Sequence, residues 1–157
     1  MLEEVGVVAI HVSAYAPQKR GALVRFAEAV KSVVNIPVIA VGRIDPVLGE
    51  KVLAEGKADL IAIGRGLIAD PYLPQKAAEG RLEDISPCIA CGRCLAGNSE
   101  RVGVSCLVNP ALGKEREYTI EPAAKPKKVL VIGGGPAGME AARVAALRGH
   151  QAGCWKK

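Results

Sequence analysis

Short apolar runs alternate with amphipathic stretches along the first 80 residues. The runs at 7–12, 37–41 and 60–63 are rich in valine and isoleucine, which is typical of strands that are buried on both faces of a parallel sheet. Between the first two runs, residues 21–34 carry apolar side chains at helical spacing. This alternation predicts βα units arranged around a parallel sheet.

Two of these units repeat the same layout. Residues 38–56 and 60–80 each contain an apolar strand, a Gly-Arg pair, an Asp-Pro pair and a helix ending in Ala-Glu-Gly. The Asp-Pro pairs at 45–46 and 70–71 predict an N-cap followed by a first-turn proline, and each final glycine fits the left-handed position after a helix. The tandem units predict the C-terminal part of a TIM (β/α)8 barrel, with a doubly wound sheet as the alternative.

Glycine and arginine stand at the carboxyl ends of the last two apolar runs, as Gly42-Arg43 and Gly64-Arg65-Gly66. This face of a barrel carries the active site, and its last two loops commonly bind phosphate. Glycine lets backbone N–H groups approach an anion closely, and arginine adds a charged bidentate donor. The two tips therefore predict a phosphate site, the alternative being that the glycines only form tight turns.

Four of the five cysteines gather in one segment, as Cys88, Cys91, Cys94 and Cys106. Zinc sites usually take cysteines as two separated pairs, whereas three close thiolates and a distant fourth suit a cubane cluster. The spacing C-x2-C-x2-C-x11-C therefore predicts a 4Fe–4S cluster, with zinc and disulfides as alternatives. Cys154 stands apart, and we expect it to be an ordinary thiol.

A glycine turn follows the last predicted strand. It has the pattern Gly133-x-Gly135-x-x-Gly138 and is followed by a helical stretch, which is the context of a dinucleotide-binding turn. Its glycines would permit the tight turn, the approach of a pyrophosphate and close helix–strand packing; a purely structural turn is the alternative. The acid that usually contacts the ribose about twenty residues further on is missing from residues 154–157, Cys-Trp-Lys-Lys.

The periodicity divides the chain into four parts. We expect barrel units at 1–82, an irregular iron–sulfur segment at 83–121, a linker at 122–127 and the first βα unit of a Rossmann-like domain at 128–157. A barrel needs about 250 residues and eight βα units. Since this chain has three, we expect it to be part of a longer polypeptide.

Charge and hydropathy exclude some classes of partner. The net charge is +5, but the basic residues are dispersed among acidic ones and no aromatic residues alternate with a basic stripe, so the pattern of a nucleic-acid surface is missing. The first ten residues carry two acids where a signal peptide would be basic, and the apolar runs are far shorter than a membrane span. We expect a cytoplasmic protein that binds neither nucleic acid nor membrane.

Taken together, these motifs resemble one family, the multi-domain relatives of old yellow enzyme. It includes 2,4-dienoyl-CoA reductase, trimethylamine dehydrogenase and clostridial-type NADH:flavin oxidoreductases. The matching segments occur in the family's order: IHVSA, IAVGRIDP, IGRGLIADP, CIACGRC, SCLVNP and VLVIGGGPAGMEAA. The resemblance implies an FMN-binding barrel, a 4Fe–4S segment and an FAD-binding domain with a site for NAD(P)H.

The resemblance also implies roles for individual residues. The FMN phosphate would be held by the two strand tips, that is by Gly42, Arg43, Ile44, Gly64, Arg65 and Gly66. The cluster would be ligated by the gathered cysteines, Cys88, Cys91, Cys94 and Cys106. The FAD pyrophosphate would contact the glycine turn, at Gly133, Gly135 and Gly138.

In such enzymes electrons pass from NAD(P)H to FAD, through the cluster to FMN, and then to a small-molecule acceptor such as an enoate or a 2,4-dienoyl-CoA. The family's acid–base residues lie in earlier strands, so no catalytic residue is assigned and the 157-residue chain by itself is expected to be inactive. Its partners would be the missing parts of the same polypeptide and, as an open possibility, further copies in a homo-oligomer. A non-catalytic iron–sulfur electron-transfer module and a zinc-stapled structural domain are the alternatives.

Overall fold

The chain forms two compact units, residues 1–113 and 114–157, each of which is mixed α/β. The computed structural model describes residues 4–14, 19–99 and 103–155, the side chains of 97–99 excepted. Within these ranges no helix is both long enough and apolar enough to cross a membrane.

The first unit contains a three-stranded parallel sheet in the order β1-β2-β3. Its strands are β1 (Ile10–Val12), β2 (Val38–Ala40) and β3 (Leu60–Ile61). Ala40 lies at the centre of the register, opposite Val12 on one side and Ile61 on the other. The strands are shorter than the apolar runs that predict them, because only two or three residues of each run have ladder partners on a neighbouring strand.

Two helices cover this sheet and complete its core. They are α1 (Val24–Lys31) and α2 (Pro46–Ala54). The carboxylate of Asp45 accepts a hydrogen bond from the backbone N–H of Leu48, which confirms the first predicted N-cap. The buried core consists of small and branched side chains from these strands and helices and the loops next to them: Ala27, Val38, Ala40, Ile44, Val52 and Ala58.

The second Asp-Pro pair does not cap a helix as predicted. The chain after β3 forms two short helices, α3 (Arg65–Ala69) and α4 (Leu73–Ala78), and Asp70 follows the first of them. Tyr72 occupies the N-cap position of α4, and the carboxylate of Asp70 instead accepts hydrogen bonds from the N–H groups of Tyr72 and Ser86 and from the ammonium of Lys76. The glycine that follows α4, Gly80, has φ +74°, as its position after a helix predicts.

The cysteine segment is more regular than the sequence suggests. A 3-10 turn spans Leu82–Asp84, and helix α5 covers Arg93–Ser99. One of the clustered cysteines, Cys94, therefore lies on a helix rather than in a loop. The prediction of an entirely irregular segment was wrong here, since a seven-residue helix is too short to give a clear periodicity in the sequence.

The second unit is a βαβ arrangement rather than a single βα pair. Strand β4 (Lys128–Ile132) leads into helix α6 (Pro136–Leu147), and β5 (Gln151–Trp155) returns parallel to β4. The register pairs Val131 with Cys154. The sequence did not predict β5, because Gln151-Ala152-Gly153 is too weakly apolar to indicate a strand.

Candidate functional site

A cleft opens where β2 and β3 end, and both predicted tips line it. Its volume is about 500 Å³. Residues 41–45 and 62–66 form two of its walls, and residues 85–88 with Leu95 form another. The structure thus places the first clustered cysteine, Cys88, in the same cleft as the two Gly-Arg tips.

The first tip has a backbone that few residues adopt. Gly42 has φ +120° and Arg43 has φ +51°. The conformation therefore requires glycine at position 42, and the packing is also tight, since a Cβ there would lie 3.1 Å from Leu23 Cγ. A positive φ is uncommon for a residue such as Arg43 and costs on the order of 1 kcal/mol or more. Ile44 is only 4% exposed and belongs to the core, which leaves its backbone as the part that a ligand would meet.

The second tip contains a glycine that the protein itself does not require. Gly64 has φ −97°, which any residue can adopt, and a Cβ there would meet no atom within 4 Å. Gly66 differs, because its Cβ would lie 2.8 Å from Ile63 Cγ2. The free space beside Gly64 opens on the cleft and fits a ligand that closely approaches the backbone.

The charged groups of the cleft favour an anion. Among the described residues, Arg20, Arg43 and Arg65 line it together with a single carboxylate, Asp45. Arg20 pairs with that carboxylate, its Nη2 lying 2.7 Å from Oδ1. The hydrogen bond from Arg20 outweighs the opposing effect of burial and, with backbone N–H groups, lowers the pKa of Asp45. The cleft therefore carries about two more positive charges than negative ones, which fits a phosphate dianion.

The cysteine segment begins at the wall of the cleft. Nη2 of Arg43 lies 3.5 Å from the carbonyl oxygen of Cys88. The chain then turns through two residues of positive φ, Ala90 at +55° and Gly92 at +76°, before Cys94 enters α5. Both residues thus adopt the left-handed conformation, which is uncommon for alanine and readily adopted by glycine.

All five cysteines are free thiols, so the disulfide alternative has no support in this structure. Four soft sulfur donors on a single segment are a chemically suitable set for an iron–sulfur cluster. Across the described ranges, however, no three His, Cys, Asp or Glu side chains are gathered as a metal site. Ligation by Cys88, Cys91, Cys94 and Cys106 thus stays a prediction.

Two side chains whose role the sequence did not reveal hold the cysteine segment in place. Oδ2 of Asp70 accepts hydrogen bonds from the backbone N–H of Ser86 at 2.9 Å and from Nζ of Lys76 at 2.6 Å. Nδ2 of Asn109 donates to the carbonyl oxygen of Ile68 at 2.8 Å. The Asp-Pro repeat pointed to Asp70 only as a cap, and nothing in the local sequence indicates these distant partners.

In the second unit, each glycine of the predicted dinucleotide turn meets a different requirement. Gly133 has φ +114°, so the turn itself requires it. A Cβ on Gly138 would lie 1.9 Å from the carbonyl oxygen of Gly133, so the packing of α6 against the turn requires glycine at position 138. Gly135 has φ −78°, and a Cβ there would meet nothing within 4 Å, which fits the place where a pyrophosphate approaches.

No acidic side chain lies on β5 to contact a ribose. Cys154 stands beside the turn, and its Sγ lies 3.6 Å from the carbonyl oxygen of Gly133. The last two residues of the Cys-Trp-Lys-Lys sequence, 156–157, lie outside the described residues. The described part of β5 therefore offers no substitute for the usual acid.

Comparison with known proteins places these features in a family. The model of the NADH:flavin oxidoreductase / NADH oxidase family matches residues 5–84. A curated relative, the NADH oxidase of Thermoanaerobacter brockii, is 49% identical over 172 aligned positions, which cover 100% of this chain and 26% of the relative. The cinnamate reductase of Clostridium sporogenes is 46% identical over 136 positions, covering 85% of this chain and 20% of that protein.

A solved structure agrees with this assignment. The 6-hydroxypseudooxynicotine amine oxidase of Pseudomonas geniculata N1 matches 94% of this chain and 24% of its own with a TM-score of 0.82 and 35% identity. The chain thus spans about a quarter or less of the length of these relatives. The match to the family model covers half of the chain and includes both Gly-Arg tips, and the chain accordingly belongs to the NADH:flavin oxidoreductase / NADH oxidase family.

Proposed function

We propose that this chain supplies the FMN-phosphate tips, the cluster-binding segment and the dinucleotide turn of an iron–sulfur flavoprotein oxidoreductase. The observation that carries the proposal is the cleft in which Gly42-Arg43, Gly64-Arg65 and Cys88 meet. The three-stranded sheet would then be the last part of a (β/α)8 barrel, whose carboxyl face holds the flavin.

The residues of the cleft have distinct tasks in this proposal. Arg43 and Arg65 would neutralise the phosphate dianion of FMN, while the space beside Gly64 lets the phosphate reach backbone N–H groups. Cys88, Cys91, Cys94 and Cys106 would donate thiolate sulfur to a 4Fe–4S cluster. In the second unit, Gly133, Gly135 and Gly138 would admit the pyrophosphate of FAD. When bound, these groups would supply the redox chemistry that links NAD(P)H to a small-molecule acceptor.

For the acceptor we propose an activated alkene. The relative named cinnamate reductase is 46% identical to this chain, whereas the structure named as an amine oxidase is 35% identical. An amine substrate is the second candidate, supported by the high TM-score of that same structure.

The test is anaerobic expression of the flavoprotein that carries this chain, followed by analysis of iron, acid-labile sulfide, zinc, FMN and FAD. Our proposal predicts iron and sulfide in equal amounts, both flavins, and NADH- or NADPH-dependent reduction of an enoate. Iron and sulfide without flavin would indicate a bare electron-transfer module. Zinc without sulfide would indicate a structural metal site. Oxidation of an amine without reduction of an enoate would show that the substrate is an amine rather than an activated alkene.

A further inference from the structure

Two side chains, those of Asp70 and Asn109, connect the C-terminal end of α3 to the two ends of the cysteine segment. At one end the carboxylate of Asp70, only 3% exposed, accepts the N–H of Ser86 at 2.9 Å. At the other end the amide of Asn109 donates to the carbonyl oxygen of Ile68 at 2.8 Å. Ser86 precedes the first clustered cysteine by two residues, and Asn109 follows the last by three.

The same helix begins at the second phosphate tip. Arg65 is its first residue, and Ile68 and Asp70 stand at its end. Ile68 follows Arg65 by three residues and Asp70 follows it by five, so the proposed phosphate contact lies close in the chain to both points where the cysteine segment is held. Hydrogen bonds hold this short connection, since the N–H of Ile68 donates to the carbonyl oxygen of Gly64 at 3.3 Å and that of Asp70 to the carbonyl oxygen of Gly66 at 2.9 Å.

The partners of Asp70 make its anchor strong. Besides Ser86, its carboxylate accepts the N–H of Tyr72 at 3.0 Å and the ammonium of Lys76 at 2.6 Å. Lys76 in turn donates to the carbonyl oxygen of Asp84 at 2.8 Å, two residues before Ser86. Charge-assisted hydrogen bonds are stronger than neutral ones, and a buried carboxylate is retained only where such partners compensate for its lost hydration.

We infer that Asp70 and Asn109 are positioning residues that clamp the two ends of the cysteine segment to α3 and so fix the cluster relative to the FMN phosphate. The inference rests on the proposed function, because it assigns these residues a task toward the cluster. Sites that must hold a reactive group within a fraction of an ångström depend on supporting contacts of this kind.

The chain contains a matched control for Asp70. The carboxylate of Asp59 also accepts a lysine ammonium, from Lys31 at 2.6 Å, and a backbone N–H, from Val38 at 2.8 Å. Asp59 thus links the end of α1 to the start of β2, and neither of these two hydrogen bonds involves the cysteine segment. Asp59→Asn thus removes the same two kinds of interaction, from a carboxylate that is 37% exposed against 4% for Asp70, without touching either anchor.

The experiment compares wild type, Asp70→Asn, Asn109→Asp and Asp59→Asn in the full chain. Amide hydrogen exchange is first measured on the metal-free chain, with Ser86 as the reporter. Each protein is then reconstituted with iron and sulfide, and the rate of iron release to a chelator and the electron paramagnetic resonance spectrum of the reduced cluster are recorded. Asn109→Asp keeps the shape of the side chain while removing its donor, so it also serves if Asp70→Asn does not fold.

We expect Asp70→Asn to accelerate exchange at Ser86 by about tenfold, the equivalent of one lost hydrogen bond. Both anchor variants should release iron about tenfold faster and show an altered cluster spectrum, while Asp59→Asn should match wild type in both. Wild-type release rates and spectra in the anchor variants would overturn the inference while leaving the proposed function intact. A wild-type chain that takes up no iron and sulfide would instead overturn both.

Discussion

Nη2 of Arg43 lies 3.5 Å from the carbonyl oxygen of Cys88, so one arginine connects a strand tip to the first residue of the cysteine cluster. The contact joins positions that are 45 residues apart in the chain. Arg43 itself has φ +51°, a backbone conformation that is uncommon for a residue other than glycine. Because strained backbones concentrate at functional sites, this arginine is the first candidate for substitution.

The phosphate assignment predicts that arginine removal weakens binding of FMN but not of riboflavin. Each of Arg43→Ala and Arg65→Ala removes a charge-assisted contact of about 1.5–3 kcal/mol, which corresponds to roughly a ten- to hundredfold loss of affinity. Riboflavin lacks the phosphate, so its affinity should change little. Flavin titrations followed by fluorescence, in the flavoprotein that carries this chain, measure both ligands.

Arg25→Ala is the control for that experiment, because Arg25 stacks on Phe26 at 4.6 Å and does not line the cleft. It should leave the affinity for FMN unchanged. Equal FMN affinity in wild type and in both cleft variants would show that the tips are turns without a role in phosphate binding.

The cluster assignment predicts different behaviour for two cysteines. Reconstituted wild type should be brown and lose its colour in oxygen, and Cys91→Ser should lose the chromophore because a cluster cannot tolerate the loss of a thiolate ligand without large destabilisation. Cys154→Ser, in the second unit, should retain it. Iron and sulfide analysis with visible absorption measures both variants, and full iron loading in Cys91→Ser would contradict the assignment.

Local patterns predicted much of the first unit correctly. Asp45 caps α2 as the Asp-Pro pair indicates, and the tips at Gly42 and Gly64 follow neighbouring parallel strands. These features depend on residues close together in the chain, so their chemistry is visible in the sequence. In the glycine turn, the positive φ of Gly133 and the close packing at Gly138 agree with the pattern, while the pyrophosphate contact at Gly135 stays a prediction.

The features that the sequence did not predict depend on contacts between residues that are distant in the chain. The partners of Asp70 at Ser86 and Lys76 redirect it from the predicted cap, and a local rule cannot anticipate a hydrogen bond that forms only after the chain has folded back. Strand β5 was missed for a similar reason, since its pairing with β4 comes from the neighbouring strand rather than from its own weak β-propensity.

The glycine turn of the second unit predicts different effects for two alanine substitutions, one on stability and the other on dinucleotide binding. In Gly138→Ala the new Cβ would lie 1.9 Å from the carbonyl oxygen of Gly133, so the helix must shift and the free energy of unfolding should fall by about 2 kcal/mol or more. In Gly135→Ala the Cβ has free space, so stability should change by less than about 1 kcal/mol. Its affinity for a dinucleotide should nevertheless decrease, because the Cβ occupies the place where the pyrophosphate would approach.

Urea denaturation followed by circular dichroism, together with titration of FAD and NADH, separates these effects. The two variants are controls for each other, one expected to lose stability and the other binding. A Gly135→Ala protein that binds both dinucleotides as wild type does would contradict the pyrophosphate assignment.

The Asp70 network predicts how stability depends on pH. Burial would raise the pKa of Asp70, but Lys76 and the N–H groups of Ser86 and Tyr72 outweigh it, so the pKa lies below its ordinary value. The stabilisation is therefore fully present above the unfolded-state pKa of about 3.9 and is lost as the pH falls through the lower folded-state value. We expect wild type to exceed Asp70→Asn in free energy of unfolding by about 2 kcal/mol at neutral pH, with the difference shrinking below about pH 4.

In Lys76→Met the carboxylate of Asp70 stays buried without its ammonium partner, so its pKa should rise and the loss of stability in acid should begin at a higher pH. Urea denaturation between pH 7 and pH 3 measures all three proteins, and parallel stability curves would show that Asp70 does not carry the stabilising charge.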